Sequence, residues 1–153
     1  MYALKSLCFA LFAVNAVAAP FNQTLEARGK DLLCKNTEGN FKINSDKAER
    51  AMHAAPVGNP PDKLPQTKSG YPHQFHNAKG LKWANSHCND KNAKLLEFPV
   101  FADGHLFQYD EKKNPSDASW VGPARVIYTM PSKDYCGVMA HTTGNKGDFE
   151  LCE

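Results

Sequence analysis

No Cys-x-x-Cys pair occurs anywhere in the 153 residues, which argues against a structural zinc site as the use of the thiols. The chain lacks a strong charge of either sign: 18 Lys and Arg stand against 16 Asp and Glu. Total charge therefore does not mark it as a dedicated binder of polyanions. It has no internal repeat, low-complexity tract or linker, so nothing divides it into parts. Its apolar stretch from Leu7 to Val14 is too short to span a bilayer.

That stretch follows a single Lys5 and precedes the small-residue run Ala16-Val17-Ala18. Residues 1–18 therefore read as a secretory signal peptide, with cleavage expected after Ala18 and Ala19 as the alternative. Residues 19–28 carry no hydrophobic pattern and read as a propeptide or an unstructured arm. Asn22-Gln23-Thr24 within them is a weak glycosylation sequon. Residues 29–153 are enough for one compact domain and too few for two. Cys8 leaves with the signal, so Cys34, Cys88, Cys136 and Cys152 remain as an even set in a secreted chain. Two disulfides are expected, and spacing leaves all three pairings open.

Charge is unevenly placed. Residues 30–94 hold 11 basic and 6 acidic side chains, and residues 95–153 hold 5 and 9. A basic half beside a mildly acidic one fits a face that tolerates a polyanion, although ordinary surface lysines give the same count.

Leu32–Lys35 and Asn40–Ile43 flank a Gly39 turn and read as a β-hairpin. Ser45 and Asp46 look like a helix N-cap, with Glu49 completing a capping box. Ala48, Ala51, Met52 and Ala55 then recur at helical spacing until Pro56. Met52 in that stripe belongs to the core. Further strands are expected at Tyr71–Phe75, at an edge Leu81–Trp83, at Lys94–Phe101, at Pro123–Thr129 and at Tyr135–His141, and Phe149–Cys152 closes the chain. Leu106–Tyr109 reads as a strand rim and Asn85–Lys91 as a polar turn. One helix with several antiparallel strands makes an α+β domain.

Chemistry enters through interruptions in the apolar runs. Glu97 sits between Leu96 and Phe98 in Lys94–Phe101, where burial is costly unless something pairs with the carboxylate. The bland reading is a half-exposed strand with Glu97 facing solvent. Three other apolar runs, however, each carry one interruption: His73, Arg125 and His141. If those strands are neighbours, a carboxylate, a guanidinium and two imidazoles converge on one sheet face, a site for acid–base chemistry at an anion. His53, His76, His87 and His105 read as surface or turn residues, and Trp83 and Trp120 as packing residues.

The segments Ser69-Gly-Tyr-Pro-His-Gln-Phe75, Leu95–His105, Gly122–Thr129, Tyr135–Thr142 and the final Leu151-Cys152 resemble the fungal ribotoxins of the sarcin and hirsutellin type. Those proteins are relatives of the guanyl-specific extracellular ribonucleases. The resemblance runs from Cys34 to Cys152 in the family's order, and the short hairpin looks more like the hirsutellin branch. It implies a twisted antiparallel sheet on a single helix, an N-terminal hairpin, long loops, and bridges Cys34–Cys152 and Cys88–Cys136. It further implies a secreted, monomeric endoribonuclease that needs no metal or cofactor. Such an enzyme cuts one bond in the sarcin–ricin loop of large-subunit rRNA through a 2′,3′-cyclic phosphate, and meets acidic membrane lipid during cell entry.

The implied roles suit the chemistry of RNA cleavage, which needs a base for the 2′-hydroxyl, a cation at phosphorus and an acid for the leaving oxygen. Glu97 matches the general base, His141 the general acid and Arg125 the phosphate-clamping cation. His73 matches the histidine that supports the ionised Glu and can assist as base. Tyr71 matches a phosphate-binding phenol and Phe149 an apolar neighbour of the scissile group. Substrate contacts are also expected from Asn77, Lys112 and Lys113. Here the chain departs from the family: His76–Gly80 has Asn77 in a matching place but no aromatic residue at Ala78 to stack a base. Glu111–Pro115 offers just two lysines where ribotoxins are lysine-rich. Since each phosphate contact adds salt-sensitive affinity, ribosome binding is expected to be weaker than in strongly basic members. A general purine-preferring extracellular ribonuclease is the second reading, and a non-catalytic ribonuclease-like effector the third.

Overall fold

The computed structural model describes residues 29–112, 117 and 119–153. The expected signal peptide, the arm at 19–28 and its sequon, and Lys113 lie outside the described residues. A hairpin comes first: β1 (Asp31–Cys34) pairs antiparallel with β2 (Phe41–Asn44). Helix α1 (Ser45–Ala54) follows directly. Five strands then build one antiparallel sheet in chain order, β3 (His73–Phe75), β4 (Lys94–Val100), β5 (Ala124–Met130), β6 (Tyr135–Thr143) and β7 (Lys146–Leu151). This is the expected α+β architecture, one helix on an antiparallel sheet.

Alternation along the strands sorts the residues into two faces. Leu96, Phe98 and Val100 of β4, Val126 and Tyr128 of β5, and Val138 and Ala140 of β6 pack in one cluster with Ala48, Ala51, Met52 and Ala55. Alanines on the helix let its backbone lie close to the large sheet residues. Phe98 and Val126 are fully buried, each worth about 1.5–3 kcal/mol of transfer free energy. The alternate residues Leu95, Ile127 and Met139 form a smaller cluster with Trp83, Cys88 and Cys136. Trp83 and Trp120 both pack against apolar neighbours, as their reading as packing residues required.

Several boundaries differ from expectation, each for a local reason. The N-cap is Asn44, not Ser45 or Asp46: its side chain accepts from Asp46 N at 3.1 Å. Asp46 instead accepts from Gly29 N at 2.8 Å, tying the residues just before β1 to the helix. Leu81–Trp83 forms no strand, because Asn89 takes the place of a ladder partner. Its Oδ1 accepts from Trp83 N at 3.0 Å and its Nδ2 donates to Trp83 O at 2.7 Å. The polar turn around Cys88 contains a short 3-10 helix, Ser86–Asn89, capped by Asn85. Leu106–Tyr109 is also not a strand. Phe107 holds that segment by packing against Tyr71, Phe98 and Trp120.

The bridges are Cys34–Cys152 and Cys88–Cys136, at chain separations of 118 and 48. Closing loops of that size removes unfolded-state entropy worth about 4–5 kcal/mol each in the chain-entropy model. The first bridge joins the hairpin to the C-terminus, and the second joins the 3-10 helix to β6.

Candidate active site

Strand register decides what shares a face. His73 pairs with Glu97, Glu97 with Ile127, Arg125 with Met139, and His141 with Phe149. All four residues expected to carry the chemistry therefore lie on the sheet face opposite α1, above the smaller cluster. The half-exposed strand that would leave Glu97 facing solvent does not form: β4 is buried on both faces beyond Lys94, and the Glu97 side chain keeps 13% of its accessibility.

Arg125 is the most deeply placed charge, 3% exposed. Its Nη1 donates to the carbonyls of Val121, Gly122 and Ala124 at 3.0, 2.8 and 2.8 Å. Its Nε donates to the Tyr71 hydroxyl at 3.2 Å, and the guanidinium lies over the Tyr71 ring. These partners are all neutral, and among the described residues none of the bonds engages Nη2. The cation is thus fixed in place while its charge is left for an external anion. Burial raises the Tyr71 phenol above its ordinary range, with Arg125 opposing the shift and Glu97 adding to it. Tyr71 stays protonated, and because its oxygen accepts from Arg125 its own proton is free to donate.

The His73 ring also stacks on Tyr71, at a centroid distance of 4.0 Å. Its Nδ1 stands 3.4 Å from Glu97 Oε1. The imidazole is half-exposed and the carboxylate largely covered, so His73 caps Glu97 from the solvent side.

His141 is oriented from below. Its Nδ1 bonds the Gly147 carbonyl at 3.0 Å, which places a proton on Nδ1 and leaves Nε2 facing outward. The ring also packs on Phe149 at 4.0 Å. Gly147 takes φ +80°, a conformation glycine reaches without penalty, and so turns its carbonyl toward the ring. Burial lowers the His141 pKa from the ordinary imidazole value. The Gly147 bond and Glu97 oppose that shift, and Arg125 reinforces it. Glu97, Arg125 and His141 are thus close enough to act on one another electrostatically.

Beside Phe149 opens a cavity of about 320 Å³ between residues 74–81 and Gly147–Phe149. An ion pair between Lys79 and Asp148, 2.8 Å long, stands among its lining residues. Asn77 lines it too, but its amide is spent inside the loop. Oδ1 accepts from Leu81 N at 2.7 Å, Nδ2 donates to Leu81 O at 2.9 Å, and the backbone takes φ +45°. What Asn77 offers a ligand is the loop backbone it shapes. Lys112 is exposed and is not among the groups gathered here. His53, His76, His87 and His105 are exposed, His87 and His105 against Asp134 and Asp103.

Reading the residues alone missed the carbonyls that hold Arg125, the Gly147 carbonyl and the Lys79–Asp148 pair. Backbone acceptors leave no mark in residue identity. The glycines of Gly144-Asn-Lys-Gly147 were the one available signal of a special turn before Phe149.

A fixed cation, a covered carboxylate and an outward imidazole share one face of an antiparallel sheet, a grouping whose chemistry suits an enzyme acting on a phosphodiester. The chain belongs to the ribonuclease family, whose model matches residues 32–153. It is 40% identical to ribonuclease clavin of Aspergillus clavatus, over 99% of both chains. It superposes on the Aspergillus ribotoxin restrictocin with a TM-score of 0.64 at 34% identity, covering 80% of this chain and 97% of restrictocin. Restrictocin in complex with a 29-mer sarcin/ricin domain RNA analogue matches at the same TM-score and 31% identity, over 81% and 99%. The protein is an endoribonuclease of the ribotoxin type.

Proposed function

We propose that this enzyme cuts a single phosphodiester bond in the sarcin–ricin loop of large-subunit rRNA and so stops protein synthesis. The observation that carries the reading is the buried Arg125, held by neutral partners between Glu97 and His141. Glu97 takes the proton of the 2′-hydroxyl, with His73 supporting its charge. The 2′-oxygen attacks phosphorus, while Arg125 and the Tyr71 hydroxyl receive the charge growing on the non-bridging oxygens. His141, protonated at Nε2, gives that proton to the departing 5′-oxygen. One P–O bond forms and one breaks, leaving a 2′,3′-cyclic phosphate and a free 5′-hydroxyl. RNA supplies the nucleophile and the side chains cover both proton transfers.

Phe149 packs the apolar side of His141 and links it to the neighbouring cavity, which is of a size to take one base beside the scissile bond. Lys112 and Lys113 extend the contact to flanking phosphates. The restrictocin–RNA complex supports the choice of target, and the leader read at residues 1–18 supports secretion; action as a monomer that meets acidic membrane lipid on entry belongs to the same proposal. Near-balanced charge favours a second reading, a general ribonuclease. Incubating the protein with intact eukaryotic ribosomes at physiological salt, beside Glu97→Gln and His141→Gln, separates the two. One discrete fragment from the 3′ end of the large rRNA, absent in both variants, supports the ribotoxin. A smear lost in both variants means a general ribonuclease, and intact rRNA sinks both.

A further inference from the structure

The hairpin turn between β1 and β2 is bonded to the segment that carries His141. Asn36 Nδ2 donates to the His141 carbonyl at 2.8 Å and to the Gly144 carbonyl at 2.8 Å. Its Oδ1 accepts from Gly144 N at 3.1 Å and from Glu38 N at 2.9 Å. Both protons and both lone pairs of the amide are used, across 105 and 108 residues of chain. Thr37 N adds a bond to Thr142 O at 2.9 Å. The place is one where the β6–β7 ladder fails: its register shifts between His141 and Thr143, and such irregularities leave backbone groups for other partners. The β6–β7 turn leads directly into Gly147, the second residue of β7, whose carbonyl holds His141 Nδ1.

We propose that Asn36 is a positioning residue for His141, locking strand and turn together so that Nε2 stays aimed at the leaving oxygen. The proposal rests on the reading of His141 as general acid. Asn36 touches no reacting atom and acts through two supports of the ring, the His141 backbone and the turn that leads into Gly147 at the start of β7. The charged groups acting on His141 are Arg125 from β5 and Glu97 from β4, and Glu38 lies against Gly144 from the hairpin. All three remain in Asn36→Ala, so a changed titration in that variant reports a displaced ring.

The test uses the full chain with its disulfides formed and a defined RNA oligonucleotide. Asn36→Ala is expected to lower kcat about a hundredfold, the usual scale for a catalytic group misplaced by an ångström, with KM little changed. The His141 ring, followed by proton NMR, is expected to titrate closer to an ordinary imidazole as it gains solvent. Asn36→Ser falls between, and carries the test should Asn36→Ala fail to fold. Asn40→Ala removes the Asn40 side-chain bond to Asn36 N, 3.2 Å long and internal to the hairpin, and is expected to change neither reading. Wild-type kcat and titration in the Asn36 variants, with His141→Gln inactive, would overturn this proposal alone. An active His141→Gln would remove the acid assignment and the proposal with it.

Discussion

The two faces of the five-stranded sheet are built from the same strands yet do different work. Facing α1, Leu96, Phe98 and Val100 of β4, Val126 and Tyr128 of β5, and Val138 and Ala140 of β6 are buried, and the contacts there are dispersion and area burial. On the opposite face the alternation holds, but Glu97, Arg125 and His141 occupy positions that continue the row of Leu95, Ile127 and Met139. One face supplies stability and the other spends some of it to hold charge in poor solvent. Putting chemistry on the side with the smaller cluster keeps carboxylates, imidazoles and cations out of the larger core.

The comparison is broken most severely from the chemical side. His141→Gln should lower kcat by about 10²- to 10⁴-fold, the range of a lost general acid, while melting stays near that of the wild type. A matching loss of stability would mean that the faces are not separable. From the other side, Phe98→Ala should cost about 3–5 kcal/mol in chemical denaturation, as expected for a fully buried aromatic. The rate per folded molecule should hold.

The sign of the His141 shift sharpens the comparison further. Its folded pKa is depressed by burial, and a general acid works only while protonated. The high-pH limb of kcat/KM, which reports the free enzyme, should therefore fall below the ordinary imidazole pKa of about 6.5. A bound phosphodiester favours the protonated ring, so the kcat limb should lie at higher pH than the kcat/KM limb. Coincident limbs above that ordinary value would contradict the burial of His141. For stability the same shift works in reverse. The unfolded state binds the proton more readily, so this residue favours folding less as pH falls through the unfolded pKa toward the folded one.

Smaller effects belong to the helix face. Lys133 Nζ donates to the carbonyls of Met52, His53 and Ala55 at 3.1, 3.2 and 2.7 Å, closing the C-terminus of α1. Lys133→Ala should cost about 1 kcal/mol and leave activity alone. Tyr128 is buried in the core with no partner for its hydroxyl among the described residues, and burial drives its pKa well above the ordinary phenol range. Tyr128→Phe should raise the denaturation midpoint slightly, by up to about 1–2 kcal/mol in stability. A loss instead would reveal a bond to that hydroxyl.

Much of this could be read from residue order. Ala48, Ala51 and Met52 announced the helix, and the apolar runs announced β4, β5 and β6. The interruptions at His73, Glu97, Arg125 and His141 are visible because an ionisable residue inside an apolar strand is expensive and therefore informative. Leu81–Trp83 misled because Asn89 satisfies Trp83 through a side-chain amide, an arrangement with the hydrophobic pattern of a strand and none of its pairing.

Residue types and periodicity thus specify which elements form and which carry charge, since propensity and burial act locally. How the charges are held is settled by folding alone. Arg125 depends on three carbonyls, His141 on the Gly147 carbonyl, and the β6–β7 turn on Asn36 from far along the chain. Any residue can present a carbonyl, so these supports appear only when distant backbone segments are brought within hydrogen-bond reach.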